Sequence, residues 1–101
     1  KINSIIDKHI ADEDFSVDQL SDEMFMSRTQ IHRKLKAITN QSTTQYIKRY
    51  KLKKALKDLE AHTGTISEIA YKFGFSSPAY FSRVFQEVYG KKPSEVVRND
   101  R

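Results

Sequence analysis

The chain has 101 residues, which suits one domain with a modest core, and its 18 basic and 13 acidic side chains give a formal net charge of +5. It has no cysteine, which excludes a disulfide framework, a thiolate metal site and a cysteine nucleophile and agrees with a reducing cytoplasm. No apolar run approaches membrane-spanning length and no signal peptide is visible, so we expect no membrane contact. Because the first residue is Lys1 rather than methionine, we expect a piece of a longer protein.

The N-terminal segment predicts a short amphipathic helix over residues 1–11. Its apolar side chains recur at spacings of three and four residues: Ile2, Ile5, Ile6 and Ile10. The acidic run at residues 12–14 breaks this pattern and predicts a loop. We therefore expect the first helix to cover the core without any chemistry of its own.

Four capping boxes predict the starts of the next helices. In each box a serine or threonine precedes a glutamine or glutamate by three residues, so that the two ends satisfy each other's backbone donors. The pairs are Ser16 with Gln19, Ser27 with Gln30, Ser42 with Gln45, and Thr65 with Glu68. The helices that follow bury apolar stripes, which include Leu20 and Met24, then Ile31, Leu35 and Ile38, then Ile47, Leu52, Ala55 and Leu59, and finally Ile69, Ala70 and Phe73. Asn40 is expected to end the second of these helices, and Thr63-Gly64 to end the third.

The stretch from Gly74 to Pro93 predicts the second half of a helix-turn-helix. Gly74 ends one short helix, and Ser77 followed by Pro78 is a favourable start for the next. That helix should bury Phe81, Val84, Phe85 and Val88. Its opposite face carries no acid, as a helix lying in a major groove requires. A last short helix should pack Val96 and Val97, so the prediction is an all-α fold of about seven helices.

The two halves of the chain repeat each other. Val17, Leu20, Ser21 and Met24 match Ile66, Ile69, Ala70 and Phe73 at an offset of 49 residues, and Ser27, Ile31, Arg33 and Leu35 match Ser77, Phe81, Arg83 and Phe85 at an offset of 50. The extra residue falls in a turn. We predict two helix-turn-helix subdomains, residues 1–41 and 63–101, joined by a long helix within residues 42–62.

The positive charge is concentrated around that long helix. No acid occurs between Glu23 and Asp58, an interval with ten cations, which favours double-stranded DNA as the partner. A helix of about 18 residues spans about 27 Å. Neighbouring major-groove faces are about 34 Å apart, so a rigid helix of this length can place two reading helices one DNA turn apart.

The chain resembles the DNA-binding domain of the AraC/XylS family of bacterial transcription regulators over nearly its whole length. The residues that carry the resemblance are Ile66, Ile69-Ala70, Gly74-Phe75, Ser77, Tyr80-Phe81-Ser82-Arg83, Phe85, Gly90 and Pro93, with Lys51-Leu52, Ala55 and Leu59 in the long helix. The family usually has arginine at the position of Lys51, and Lys92, Val96 and Val97 also depart from its pattern. The resemblance implies two recognition helices in successive major grooves of one asymmetric site. It also implies RNA polymerase as a partner and an upstream sensing or receiver domain in the full-length chain.

We assign candidate contacts on the outward faces of the two recognition helices. The candidates for base contacts are Thr29, Gln30 and Arg33 on the first helix and Ala79, Ser82 and Arg83 on the second. The candidates for phosphate contacts are Arg28, His32, Lys36, Lys48, Lys51 and Gln86. Arginine bonds a guanine edge bidentately, and a threonine methyl can touch a thymine methyl. We call the DNA elements bound by the first and second recognition helices the first and second box, and we expect the first box to be the more stringently read.

Other classes of function have less support in the sequence. No paired carboxylates, serine-histidine-acid spacing or glycine-rich phosphate loop indicates an enzyme, and no cofactor or metal site is expected. An RNA-binding domain would need a stacking surface for bases, which the pattern does not predict. The main alternative is a basic helical protein-interaction domain without specific DNA binding.

Overall fold

The computed structural model describes residues 2–99 of the chain, and the backbone alone of residues 98 and 99. Within that range it contains seven α-helices and no strand: α1 (Ile2–Lys8), α2 (Val17–Met24), α3 (Arg28–Thr39), α4 (Thr43–Ala61), α5 (Ile66–Lys72), α6 (Pro78–Tyr89) and α7 (Pro93–Asn99). The predicted all-α fold with a long central helix is therefore confirmed. The outer limits of the predicted domain, residues 1 and 101, lie outside the described residues, and the subdomain limits at residues 41 and 62 stay a prediction.

All four predicted capping boxes are present. The side chains of Ser16, Ser27, Ser42 and Thr65 accept hydrogen bonds of 3.1–3.4 Å from the backbone three residues on. The glutamine or glutamate at that position accepts in return from the capping residue's own N–H at 2.8–3.1 Å. In the last box this backbone bond lowers the pKa of the Glu68 carboxyl. Ser77 caps α6 by accepting from the Tyr80 N–H at 3.1 Å, with Pro78 as the first helical residue.

The residues predicted to cap the end of α4, Thr63-Gly64, were wrong, because His62 is the cap. α3 ends as expected at Asn40, which has a left-handed backbone with φ of 58°. In α4 the left-handed residue is His62, with φ of 54°, and not Gly64. The His62 N–H donates to the carbonyls of Asp58 and Leu59, which closes the helix two residues before the glycine.

Two hydrophobic cores lie along α4. The first contains Ile5, Ile6, Phe15, Leu20, Ile31, Leu35 and Ile47. The second contains Leu52, Ala55, Leu59, Ile69, Ala70, Phe73, Phe75, Phe81, Val84, Phe85 and Val96. α1 packs on α2 as the expected cover of the first core, and α7 packs on α4 and α6 beside the second. The amino-terminal part of α4 thus belongs to one unit and its carboxyl-terminal part to the other.

Ile38 does not join the first core as the helical spacing of α3 predicted. Its side chain is 72% exposed, whereas Ile31 and Leu35 on the same stripe are buried. Ile38 lies in the last turn of α3, beyond the elements that cover the earlier part of the stripe. Periodicity gives the direction of a side chain but not whether another element lies in that direction.

The backbone confirms the internal repeat. Phe25 and Gly74 are both left-handed, with φ of 55° and 80°, at an offset of 49 residues. The residue after each donates to the same carbonyl of the preceding helix: Met26 to Ser21 at 3.2 Å and Phe75 to Ala70 at 3.0 Å. The two units are therefore copies of one helix-turn-helix, with the extra residue in the second turn.

The surroundings of these two equivalent residues differ. The side chain of Phe25 is 94% exposed. A Cβ atom added to Gly74 would lie 2.6 Å from the carbonyl oxygen of Ile10, 2.9 Å from Nζ of Lys51 and 3.3 Å from the carbonyl oxygen of Asp12. We call these four residues, Ile10, Asp12, Lys51 and Gly74, the inter-unit junction, because they bring the loop after α1 against the turn of the second unit.

Replacing Phe25 by glycine should stabilise the domain. A left-handed backbone costs an L-residue about 1–2 kcal/mol, and glycine removes this strain from the folded state. Glycine also gives the unfolded chain more conformational freedom, which offsets part of the gain, so the net stabilisation should be about 1 kcal/mol. No burial is lost, because Phe25 is exposed. Urea unfolding of Phe25→Gly measures the gain. Phe25→Ala keeps the left-handed strain, so an equal gain in that control would contradict the explanation.

Alanine should be tolerated far worse at Gly74 than at Gly90. Gly90 has φ of 75° with nothing within 4 Å of an added Cβ, so Gly90→Ala tests backbone strain alone, about 1–2 kcal/mol. Gly74→Ala adds the clash with the Ile10 carbonyl, which we expect to cost a further about 1–3 kcal/mol. Equal midpoints of urea unfolding for the two variants would show that the junction is not closely packed.

Candidate nucleic-acid interface

The outward face of α3 carries two exposed side chains one helical turn apart. Thr29 and Arg33 are exposed, while Ile31 and Leu35 on the opposite face are buried. No hydrogen bond or ion pair to Arg33 occurs within residues 2–99. Its guanidinium, with five N–H donors, is therefore available to an external acceptor.

Gln30 is exposed but serves the capping of α3. Its Oε1 atom accepts from the Ser27 N–H at 2.8 Å, and its own N–H donates to the Ser27 hydroxyl at 3.1 Å. The side chain keeps its amide NH₂ as the group that can meet another partner. Gln30 can thus donate to a base or phosphate but cannot offer the bidentate pattern that an adenine edge requires while the cap is intact.

The outward face of α6 is more apolar. Ala79 and Arg83 are exposed, and Ser82 is half-buried. The guanidinium carbon of Arg83 lies 5.4 Å from the centre of the Tyr80 ring, within the range of a cation–π contact. This contact holds Arg83 along its own helix, whereas Arg33 in the first unit has no such support.

One cleft brings the starts of both recognition helices together. Arg28 at the first residue of α3 and Tyr80 in the first turn of α6 line the cleft, together with Lys48 of α4. Arg28 also approaches Asp18 at 3.4 Å, but both side chains are about 70% exposed, and such pairs contribute little. The cleft is the place where the two units present a common surface.

The candidate phosphate contacts separate into two groups. Arg28, His32, Lys36 and Gln86 are exposed and Lys48 is half-buried, so these five can reach a backbone phosphate. Lys51 cannot, and its assignment as a phosphate contact is corrected here. Its side chain is buried, and Nζ donates to the carbonyl oxygen of Asp12 at 3.4 Å. Burial lowers the pKa of Lys51, and the nearby Asp12 carboxylate acts in the opposite direction.

The start of α4 is a candidate anion site that the sequence pattern did not indicate. Ser42, Thr43 and Thr44 line a hollow together with Arg28, Thr29 and His32. The amino terminus of a 19-residue helix carries a partial positive charge and open backbone donors, so it favours an anion. The capping box marked this helix start, but only the fold places it beside α3.

Several cations lie on another side of α4. Arg49, Lys53, Lys54 and Lys57 line a groove with Tyr46, Tyr50 and Asn3, away from the cleft. Lys54 in this groove approaches Asp7 at 3.4 Å, and the Tyr50 hydroxyl donates to the same carboxylate at 2.8 Å. The basic interval of the sequence is thus divided between two surfaces and one buried position.

The histidines form no metal site in the described part of the chain, where no group of three or more His, Asp or Glu side chains is suitably placed. The ring of His9 stacks on Phe15 with 4.8 Å between the centroids and contacts the Glu23 carboxylate at 2.5 Å.

None of the helices within residues 2–99 combines the length and the apolar character needed to cross a bilayer.

Comparison with known proteins agrees with this arrangement. A family model described as a helix-turn-helix domain matches residues 20–99. A histidine kinase, P4, from Formosa agariphila is 39% identical over 95 residues, which are 94% of this chain and 7% of that protein. The transcriptional activator RhaS from Escherichia coli is 31% identical over 91 residues, 90% of this chain and 32% of RhaS. The chain therefore spans only a small part of the relatives it matches.

A solved structure shares the fold. The transcriptional regulator from Chromobacterium violaceum, described as an AraC-type DNA-binding domain-containing protein, superposes with a TM-score of 0.88 over 98% of this chain and 88% of that chain. At 24% identity this likeness supports the fold alone. The family model covers most of the chain, and the residues quoted above match the AraC/XylS pattern. The chain belongs to the AraC-type helix-turn-helix family of DNA-binding transcription regulators.

Proposed function

We propose that this domain binds one asymmetric site on double-stranded DNA, with α3 and α6 in adjacent major grooves on the same side of the duplex. The observation that carries the proposal is one cleft lined by a residue from the first turn of each recognition helix, Arg28 of α3 and Tyr80 of α6, and by Lys48 of the shared α4. The molecule measures 44 × 23 × 21 Å. Its long dimension is sufficient for two grooves that are about 34 Å apart.

The exposed side chains suggest how each box is read. Arg33 is free to bond the O6 and N7 atoms of a guanine, and Thr29, one turn before it, can place its methyl group on a thymine. In the second unit Arg83 is the corresponding donor, held near Tyr80, while Ala79 offers apolar contact alone and Ser82 is half-buried. Gln30 adds one amide donor to the first unit. These differences support stricter reading of the first box.

Contacts to phosphate would fix the register of the domain on the duplex. The exposed or half-exposed candidates surround the cleft and the recognition helices: Arg28, His32, Lys36, Lys48 and Gln86. The backbone N–H groups at the start of α4, beside Thr29 and His32, provide a further binding site for a phosphate. These groups carry no sequence information, so they should contribute equally to specific and non-specific binding.

The role of the whole protein is a proposal at a coarser level. We infer that the domain acts in the cytoplasm and carries no catalytic activity of its own, and the match of residues 20–99 to a helix-turn-helix domain supports this. An upstream sensing or receiver domain in the full-length chain is supported by the greater length of both relatives. RNA polymerase, the partner that the family resemblance implies, is proposed for this chain, and the similarity to RhaS, a transcriptional activator, supports it.

A protein-interaction domain remains the second candidate, and one observation favours it. The groove of Arg49, Lys53, Lys54 and Lys57 lies away from the cleft, where an acidic protein could bind without touching DNA. The two candidates differ in the salt dependence and sequence preference of their complexes.

Selection from a random duplex library should recover two boxes about 10 base pairs apart, and the recovered duplex should bind in a gel-shift assay. We expect the logarithm of the affinity to fall with the logarithm of the salt concentration by about one unit for each phosphate contact. A duplex with both boxes scrambled serves as the control. Recovery of a single short element, or equal binding of the scrambled duplex, would contradict the proposed function.

Removing Arg33 or Arg83 should weaken binding to the selected duplex and relax base preference at one position. The expected loss is about 1–3 kcal/mol for each alanine variant, measured by titration against single-base variants of the site. Arg33→Lys keeps the charge but loses the guanidinium fork, so it should resemble Arg33→Ala in base preference.

Lys34→Ala provides the matched control, because Lys34 is an exposed cation of α3 next to Arg33. It should weaken binding to selected and scrambled duplexes by the same factor. If Arg33→Ala and Arg83→Ala behave like this control, the assignment of base contacts is wrong.

A further inference from the structure

Lys51 lies at the point of α4 where the two cores meet. Ile47, one turn before it, belongs to the first core, and Leu52 and Ala55, just after it, belong to the second. The Lys51 side chain is 6% exposed, although its neighbour Lys53 is an exposed cation. Lys51 therefore contributes little to the outer surface, although it is among the residues that line the cleft.

The Lys51 ammonium lies between parts of the two units. Nζ donates to the carbonyl oxygen of Asp12, in the loop that follows α1 of the first unit. Gly74 lies close by, in the turn of the second unit. A Cβ atom built on Gly74 would lie 2.9 Å from the Lys51 Nζ atom and 2.6 Å from the carbonyl oxygen of Ile10. Ile10 itself packs against both cores.

Stability alone does not account for a buried ammonium at this place. Desolvating a charge is costly, and an apolar side chain of similar length often replaces a buried charge without loss of stability. A methionine would fill the same space. What it would lose is the bond to the Asp12 carbonyl, which holds the loop after α1 against α4 beside the turn of the second unit.

We propose that Lys51 is a positioning residue that sets the angle between the two recognition helices, and thereby the length of spacer the domain accepts between its two boxes. The inference rests on the proposed two-box binding. α4 fixes the separation of the units along its axis. The inter-unit junction joins the two units to one side of this axis. It therefore fixes the rotation of one unit relative to the other about the axis of α4.

The spacer dependence of DNA affinity tests this role. The probes are the duplex recovered by selection, the same duplex with one base pair added or removed between the boxes, and a duplex with the first box alone. One base pair changes the relative orientation of the boxes by about 35° and their separation by about 3.4 Å. The proteins are the wild type, Lys51→Met, Lys51→Arg and Lys53→Met, all checked for helicity and thermal midpoint.

We expect the wild type to lose about tenfold or more in affinity for either altered spacer, since linked modules gain only where both sites can be reached together. Lys51→Met should lose about threefold or less, with single-box affinity unchanged within about twofold. Lys51→Arg, which keeps a cationic donor, should restore the dependence. Lys53→Met removes the same charge from the exposed neighbour and should match the wild type.

If the DNA affinity of Lys51→Met depended on spacer length as steeply as that of the wild type, the inference would be overturned and the proposed function would stay intact. A wild type with no preference between the two-box and single-box duplexes would overturn both. Should Lys51→Met not fold, Gly74→Ala changes the junction from the other side and should displace the preferred spacer, whereas Gly90→Ala should not. An unchanged spacer preference in Gly74→Ala would then reject the role of the junction.

Discussion

The sharing of α4 between two hydrophobic cores is the constraint on which the rest of the structure depends. Ile47 faces the first core, and Leu52, Ala55 and Leu59 face the second. Neither unit can therefore complete its core without the helix that also completes the other. A flexible linker would leave the two recognition helices free to separate, whereas a helix packed at both ends transmits the position of one unit to the other.

The two units are copies of one motif, but their environments have made them different. Phe25 and Gly74 have the same left-handed backbone, yet a phenylalanine is tolerated in the first because that turn faces solvent. In the second the turn packs against the carbonyls of Ile10 and Asp12, where no Cβ atom fits. The asymmetry extends to the reading faces, since Arg33 stands unsupported and Arg83 lies near Tyr80.

The accuracy of the sequence predictions follows the range of the interactions involved. The capping boxes at Ser16, Ser27, Ser42 and Thr65 join residues three apart, so their outcome was decided locally and all were confirmed. Ile38 was placed wrongly because its burial depends on a distant element. Lys51 and Lys53 point to nearly opposite sides of α4, about 200° apart. The periodicity separates their directions, but only the fold shows that the loop after α1 covers the Lys51 side.

The lysines of α4 show why the number of cations in a sequence does not define a DNA-binding surface. Lys48 faces the cleft, Lys51 is buried in the junction, and Lys53 lies in the groove on another side of α4. All three attract a polyanion at long range, but a contact to phosphate requires both exposure and the right face. The charge of α4 is therefore divided among three environments, which are the cleft at Lys48, the buried contact of Lys51 with the Asp12 carbonyl, and the second groove at Lys53.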